Sequence, residues 1–205
     1  LSGDLSDLNQ QVLSLSFEEL ILPAELITIT DFSFLPDSEE FLILEQYGTV
    51  HHFIDDSRCI TSLGSFEIPG NFSALDCGLI SLAFDPDFDT NGYFYIGHCN
   101  SWTHSQVTRF TFTPDDYDAI GESAAEIIVA GDDAALAPWH NVGSIGFDPN
   151  GSLWVLYGEK TIGENSADLS NNLGTLLRII PNRDPAGSGY TPDLDNPFIG
   201  IEGAS

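Results

Sequence analysis

The hydrophobic positions of this chain follow one pattern that occurs three times. The copies span residues 28–53, 78–99 and 142–159. Each copy is an apolar run that ends in Phe, then one residue and a Pro, then a turn and a second β-rich run. The interval from Phe34 to Phe84 matches one four-stranded propeller blade, which takes about 40–50 residues. The interval from Phe84 to Phe147 holds one blade plus a longer connection, so the pattern predicts three successive blades.

The predicted fold is therefore an all-β propeller. A propeller ring closes with about four to eight blades, so three blades form only part of one. We expect an N-terminal segment that could supply a closing strand, three blades, and a connection toward a further blade. These segments are residues 1–25, 26–70, 76–130, 138–182 and 183–205. Two short stretches, 4–12 and 115–126, could be helical, with Asp115 or Asp116 as the cap of the second.

The chain is strongly acidic, with 32 Asp and Glu against 5 Lys and Arg and a net charge of −27. Such a surface repels nucleic acid and anionic lipid, so neither is expected as a partner. The excess of carboxylates has two explanations, which are solubility in a salty or calcium-rich medium and a specific role in binding cations. No apolar run approaches the roughly 20 residues of a membrane-spanning helix.

Two of the three cysteines are candidates for a disulfide. The inner strand of the second copy, 78–84, and its return strand, 93–98, form a hairpin that places Cys77 opposite Cys99. Opposed β-carbons in an antiparallel pair lie about 4.5–5.5 Å apart, which is close enough for a bridge. The bridge would indicate an oxidising compartment, and the alternative is two buried free thiols. Cys59 is then free or pairs with a cysteine outside these residues.

One end of the blades carries candidate catalytic residues. Aligning the copies on Phe-x-Pro places His140 at the position of Cys77. Aligning them on the glycine of the turn places Gly158 at the position of Cys99, so the hairpin brings Glu159 beside His140. A His next to a carboxylate at the mouth of a channel is a general-base arrangement, because the acid fixes the tautomer and stabilises the imidazolium. The alternative is a His that is hydrogen-bonded within a loop.

Four segments, in order, resemble the soluble quinoprotein glucose and sorbosone dehydrogenase family. They are GLISLAFDPDFDTNGYFYIGH, HNVGSIGFDPNGSLWVLYGE, ADLSNNLGTLLRI and TPDLDNPFIG. Members of this family form six-bladed propellers, so the resemblance implies that the chain holds the first half, about three blades, of such a ring. It also implies a sugar substrate, with pyrroloquinoline quinone (PQQ) and a calcium ion as cofactors, most of whose contacts belong to later segments of the family.

The resemblance also implies roles for individual residues. His140 matches the catalytic base, which takes the proton from the sugar hydroxyl while hydride passes to the quinone. Glu159 stands where the family has an aspartate that supports the base, so its reach is one methylene longer. Asp76 stands where sugar-oxidising relatives have a substrate-contacting glutamine, and Trp139 replaces an acid next to the histidine. These two departures bear on which substrate is bound.

Asn141 and Lys160 are expected to lie close to the substrate or the cofactor. PQQ carries three carboxylates, so its site requires several cationic partners or a metal ion. Of the five basic residues, only Lys160 falls near the His140 end of the blades. The remaining contacts to the cofactor are therefore expected from other blades or from a partner chain.

The turn DFDTNG at residues 87–92 is a candidate calcium site. Asp87, Asp89 and Asn91 precede Gly92 with the spacing of the first half of a calcium loop. The position of the closing bidentate Glu is occupied by His98. The alternative is an Asx-rich hairpin turn that binds no metal.

We therefore expect an exported, extracellular or periplasmic, quinone-dependent dehydrogenase that oxidises a sugar or similar alcohol and passes electrons to an acceptor that the sequence does not identify. The alternative is a non-catalytic propeller that binds a protein or a glycan at the cell surface, because a fold does not determine a function. In both cases the two apolar sheet faces of the open ring are expected to need covering, by the remaining blades or by a partner chain.

Overall fold

The computed structural model describes residues 21–23, 25–56, 59–131 and 138–201, within which three four-stranded antiparallel sheets form. The first sheet contains β1 (Ile29–Phe34), β2 (Glu40–Glu45), β3 (Thr49–Asp55) and β4 (Ile60–Glu67). The second contains β5 (Leu79–Phe84), β6 (Tyr93–Cys99), β7 (His104–Thr111) and β8 (Ala125–Gly131). The third contains β9 (Val142–Phe147), β10 (Leu153–Tyr157), β11 (Thr175–Pro181) and β12 (Tyr190–Pro192).

Each sheet is a meander, because its strands pair in chain order. Three such sheets are three propeller blades, which is the fold that the repeat predicts. The first lies within the expected segment 26–70, and the second begins within 76–130 and ends one residue beyond it, at Gly131. The third extends further, because β12 pairs with β11 and lies within the segment 183–205 that was expected to be a connection. β12 has only three residues and follows a turn rich in Gly and Pro. The sequence therefore shows no alternation of apolar and polar residues that would predict a strand there.

Helical structure is short in the described part of the chain. It consists of α1 (Phe88–Asn91), α2 (Tyr117–Glu122) and one 3₁₀ segment, Gly163–Ala167. α2 lies within the predicted stretch 115–126, and the Asp116 carboxylate caps it by accepting a hydrogen bond from the Ala119 N–H at 3.2 Å. The stretch 4–12 lies outside the described residues. No helix in the described ranges has the length and apolarity needed to cross a bilayer.

The first strands of the three sheets lie side by side. The Asp31 carboxylate on β1 accepts hydrogen bonds from the Leu82 N–H at 2.9 Å and the Ser81 hydroxyl at 3.1 Å, both on β5. The Ser81 hydroxyl oxygen accepts a further bond from the Ile145 N–H on β9 at 3.2 Å. This chain of bonds fixes the spacing of neighbouring blades where they approach the common axis.

Two apolar cores fill the spaces between neighbouring sheets. The core between the first and second sheets includes Leu42, Leu44, Phe66, Phe94 and Phe110. The core between the second and third sheets includes Tyr95, Val107, Val142, Val155 and Tyr157. The other faces of the first and third sheets carry exposed apolar side chains, among them Phe32 and Leu176. The expected pair of apolar outer faces is therefore present in the fold.

Candidate functional site at one end of the third sheet

The third sheet brings His140 and Glu159 together. β9 begins at Val142 and pairs with the end of β10 at Tyr157, so the two residues extend from adjacent strand ends. The Nδ1 atom of His140 is hydrogen-bonded to the Oε1 atom of Glu159. The side chains of His140 and Glu159 are 52% and 25% exposed, so the pair is open to solvent.

Gly158 allows the two strand ends to approach this closely. Its N–H donates a hydrogen bond to the Asn141 carbonyl oxygen at 2.9 Å. A Cβ atom at position 158 would lie 2.6 Å from the carbonyl carbon of His140, so a larger residue requires the backbone to move. His140 has a φ of 52°, in the left-handed region that few residues other than Gly adopt. Such strain is held by the surrounding structure and is characteristic of functional sites.

The carboxylate determines which nitrogen of His140 can act as a base. An ionised carboxylate only accepts hydrogen bonds, so Nδ1 carries the hydrogen that it donates to Glu159. The lone pair of Nε2 is then available to take a proton from a hydroxyl group. The hydrogen bond from His140 is also the main reason that the pKa of Glu159 lies below its ordinary value, and backbone N–H donors add to this effect.

Asn141 and Lys160 form a second, buried pair beside the first. Lys160 is fully buried, and its ammonium group donates to the Asn141 Oδ1 atom. The Asn141 amide donates in turn to the Pro138 carbonyl oxygen at 2.8 Å. Burial lowers the pKa of Lys160 to about 8. The sequence predicts that Lys160 lies near the substrate or the cofactor, and this stays a prediction. In the structure its ammonium group joins the chain before β9 to the chain after β10.

The second sheet carries a disulfide at the same end of the molecule. Cys77 and Cys99 are bridged, with their Cα atoms 5.4 Å apart, which confirms the expected pairing. Cys99 pairs with Ser105 across β6 and β7, and the Ser105 hydroxyl accepts a hydrogen bond from the Val142 N–H at 3.1 Å. The disulfide therefore lies next to the start of β9. Cys59 is exposed and forms no disulfide within the described residues.

The two residues that depart from the family pattern are also at this end. Asp76 is exposed and directly precedes the disulfide cysteine Cys77. Trp139 directly precedes His140, and 42% of its surface is exposed. Both side chains are therefore accessible to solvent.

The candidate calcium residues lie at the opposite end of the second sheet and form a turn. The Asp85 carboxylate accepts hydrogen bonds from the Asp87 N–H at 3.0 Å and the Asn91 amide at 3.2 Å. The Asn91 side-chain oxygen accepts from the Tyr93 N–H at 2.8 Å. Asp89 lies in the first turn of α1. Within the described ranges, no three His, Cys, Asp or Glu side chains are grouped to hold a metal ion.

An ion pair that the sequence does not reveal lies near this turn. Asp85, which the repeat indicates only as a turn residue, is buried and accepts hydrogen bonds from the Tyr95 hydroxyl at 2.9 Å and the Arg183 guanidinium at 2.8 Å. Asp85 and Arg183 are 98 residues apart in the chain. Only the packing of the third sheet against the second brings them together, and no local signal indicates it.

The described cations do not by themselves fit the three carboxylates of PQQ. They are Arg109, Lys160, Arg178 and Arg183, and Arg58 lies outside the described residues. Arg183 pairs with a buried aspartate, and Arg178 lies within 3.3 Å of two aspartates. Arg109 is buried and donates to three backbone carbonyls of residues 182–187, and Lys160 binds Asn141. Each cation already has a partner in the protein, so none is free at the His140 end to bind an anionic cofactor.

Comparison with known proteins identifies a family and structures that are similar to this chain. The family model for glucose/sorbosone dehydrogenases matches residues 27–205. A solved structure of a glucose dehydrogenase superposes with a TM-score of 0.72 and 21% identity, over 88% of this chain and 50% of that chain. The PQQ-bound form of aldose sugar dehydrogenase from Streptomyces coelicolor superposes with a TM-score of 0.66 and 22% identity, over 88% and 49% of the two chains.

A third similar protein is not named as a dehydrogenase. Hedgehog-interacting protein from Mus musculus is 26% identical over 135 residues, which are 60% of this chain and 19% of that protein. The chain thus spans about half the length of the solved structures that it matches and a smaller share of this relative.

Proposed function

Because this chain belongs to the glucose/sorbosone dehydrogenase family, we propose that it supplies the proton-accepting side of a sugar dehydrogenase site. His140 is the general base, and Glu159 is the residue that orients it. The observation that supports these roles is the hydrogen bond between His140 Nδ1 and Glu159 Oε1 at an open end of the third sheet.

The proposed chemistry divides the oxidation of a CH–OH group into two transfers. The hydroxyl loses its proton to Nε2 of His140, and the carbon loses its hydrogen with two electrons as hydride. The imidazolium that forms carries its positive charge next to the Glu159 carboxylate, which stabilises it. His140 and Glu159 therefore carry out the proton transfer and leave the hydride transfer to another group.

We infer that PQQ, when bound, would supply the acceptor for this hydride, since one similar structure is that of a PQQ-bound aldose sugar dehydrogenase. The described cations are all engaged within the protein, so other residues must bind the carboxylates of the quinone and any calcium ion that accompanies it. Export is part of the proposal and is supported by the Cys77–Cys99 disulfide, because such bridges persist in oxidising compartments.

A second candidate function is binding of a protein or a glycan without catalysis. The similarity to Hedgehog-interacting protein favours it, as do Asp76 and Trp139 where sugar-oxidising relatives have other residues. It does not account for a half-exposed imidazole held by a carboxylate in a strained backbone conformation. We therefore place it second.

The experiment that separates the two candidates is reconstitution of the complete protein with PQQ and calcium, followed by dye reduction with a panel of aldoses. Sugar-dependent reduction that requires the quinone supports the dehydrogenase. Failure to bind quinone, together with no turnover of any aldose, would contradict it and leave the binding function.

A further inference from the structure

A cleft lies between the edge of the first sheet and the short helix of the second blade. Its volume is about 680 Å³, and its two walls are β4 and α2. β4 is the last strand of its sheet. Because the first strands of the sheets approach the common axis, β4 lies at the circumference of the ring. Further blades of the ring would therefore leave this cleft open to solvent.

The wall formed by β4 presents unpaired backbone groups. The Ile68 N–H, one residue beyond the strand, donates to the Gly48 carbonyl oxygen at 2.9 Å. In an antiparallel pair the residues that bond to the partner strand alternate with residues whose backbone groups point away from it. Ser65 and Glu67 are of the second kind, and within the described residues their outward groups have no backbone partner. Such a strand edge can pair with an added strand.

The wall formed by α2 presents two carboxylates. Asp118 and Glu122 are four residues apart, so they lie on the same face of the helix. Both are exposed, and both line the cleft. In the part of the chain that the structure describes, neither carboxylate forms an ion pair or a hydrogen bond. The charge of this wall is therefore available to a cationic ligand.

An aromatic ring forms the floor of the cleft. The Tyr117 ring lies against the backbone of Gly64, where a Cβ atom would clash with it. It also stacks on the Phe66 ring, with the ring centroids 5.6 Å apart. Its hydroxyl is hydrogen-bonded to the Nδ1 atom of the buried His52 at 3.0 Å. The floor is thus fixed before a ligand arrives, which lowers the entropic cost of binding.

The charge of the molecule indicates what occupies the cleft. A second copy of the chain is a poor occupant, because its net charge is −27 and its described cations are engaged within the protein. An extended peptide with Lys or Arg at alternate positions fits both walls. Its backbone would pair with Ser65 and Glu67, and its cationic side chains would bind Asp118 and Glu122.

We propose that the cleft between β4 and α2 binds an extended, basic segment of another protein as a fifth strand of the first sheet. This inference goes beyond the proposed function. The cleft shares no residue with the His140 site, and binding there requires no cofactor.

The test measures binding of the fluorescein-labelled peptide KVKVKVK to the complete protein by fluorescence anisotropy. The companion peptide KVKPKVK has the same charge, but its proline lacks an N–H and interrupts strand pairing. The companion should bind about 2–10-fold more weakly, as expected for loss of one hydrogen bond. Asp118→Asn together with Glu122→Gln should weaken binding of KVKVKVK about 2–30-fold, as expected for loss of two exposed ion pairs.

Two further variants separate the cleft from a general attraction of basic peptides to an acidic protein. Asp76→Asn with Glu164→Gln removes the same charge from exposed residues outside the cleft, so it should leave the affinity nearly unchanged. Ser65→Pro removes one outward N–H of β4 without a change of charge, so it should weaken binding of KVKVKVK and not of KVKPKVK.

Three results would overturn the proposal. They are no binding of KVKVKVK to the wild type, equal affinities for the two peptides, and equal losses of affinity in the two charge-removing double variants. The last two would show that only the overall charge attracts basic peptides. Because sugar oxidation is not part of the readout, failure of this proposal leaves the proposed function standing.

Discussion

At the scale of single residues, the site depends on a buried charge. Lys160 is the only lysine of the chain, and its ammonium group has the Asn141 side-chain oxygen as its hydrogen-bond acceptor in the described structure. Burying an ammonium group disfavours its charged form, and this is why the pKa of Lys160 is lowered to about 8. The folded protein therefore binds this proton less tightly than the unfolded chain does.

This difference predicts a pH dependence of stability. Between about pH 8 and the ordinary lysine pKa of 10.5, the unfolded chain holds more protons at Lys160 than the folded chain, so the free energy of unfolding should rise with pH. Lys160→Met removes that contribution. Urea unfolding of both proteins at several pH values from 7 to 10.5 should show the wild type gaining stability relative to the variant. Parallel pH curves would show that the ammonium group is solvated.

The His140–Glu159 contact could be predicted from the sequence, whereas the burial of Lys160 could not. The first follows from strand register, since the repeat fixes which residues lie opposite each other. The second depends on the backbone turning through left-handed conformations at Lys160 and Thr161, with φ of 59° and 65°. No residue type at these positions indicates such a turn, because Gly and Asn are the residues that usually adopt it.

At the scale of elements, the repeat predicted the strand pairs that have a clear hydrophobic pattern. The hairpin of β5 and β6 follows the expected ranges, and its register places Cys77 and Cys99 in a disulfide. β12 was not predicted, because a strand of three residues forms through its backbone pairing with β11 and is too short to show a hydrophobic pattern of its own. The Asp85–Arg183 pair was missed for a related reason, since the partners belong to different sheets.

The disulfide predicts a loss of stability in a matched pair of variants. Cys77→Ser with Cys99→Ser opens a loop whose ends are 22 residues apart, and closing a loop of this size stabilises a protein by about 3 kcal/mol. Cys59→Ser is the control, because this cysteine is exposed and unbridged. Chemical denaturation should show a large drop for the double variant and little change for the control. Equal stabilities would mean that the bridge constrains nothing.

At the scale of the whole molecule, the repeat indicated three blades and two uncovered faces. On the outer face of the third sheet, Leu156 and Leu176 lie opposite each other across β10 and β11, and both are exposed. On the first sheet, Phe32 and Phe34 border an apolar groove that includes Phe41 and Ile43. Apolar patches of this kind are interaction surfaces. The sequence could not predict what covers these two faces. The hydrophobic pattern of a strand shows which face of its sheet is buried, but it does not show which surface packs against that face.

These faces predict the behaviour of the 205-residue chain in solution. Leu176→Glu places a charge in the centre of the outer face of the third sheet, so it should reduce self-association and the binding of a hydrophobic dye. Leu75→Glu is the control, since Leu75 is also exposed but lies next to the disulfide, away from that face. Sedimentation and dye fluorescence measure the two effects. A wild-type chain that is monomeric and binds no dye would contradict the assignment of an exposed apolar face.

The most direct measurement is the rate of sugar oxidation by the reconstituted protein carrying His140→Gln, compared with the wild type. If His140 is the base, kcat/KM should fall about 10²–10⁴-fold, while quinone binding and the melting temperature remain unchanged. Glu159→Gln should reduce the rate less, because it leaves the imidazole in place. A His140→Gln protein that oxidises aldoses at the wild-type rate would contradict the account.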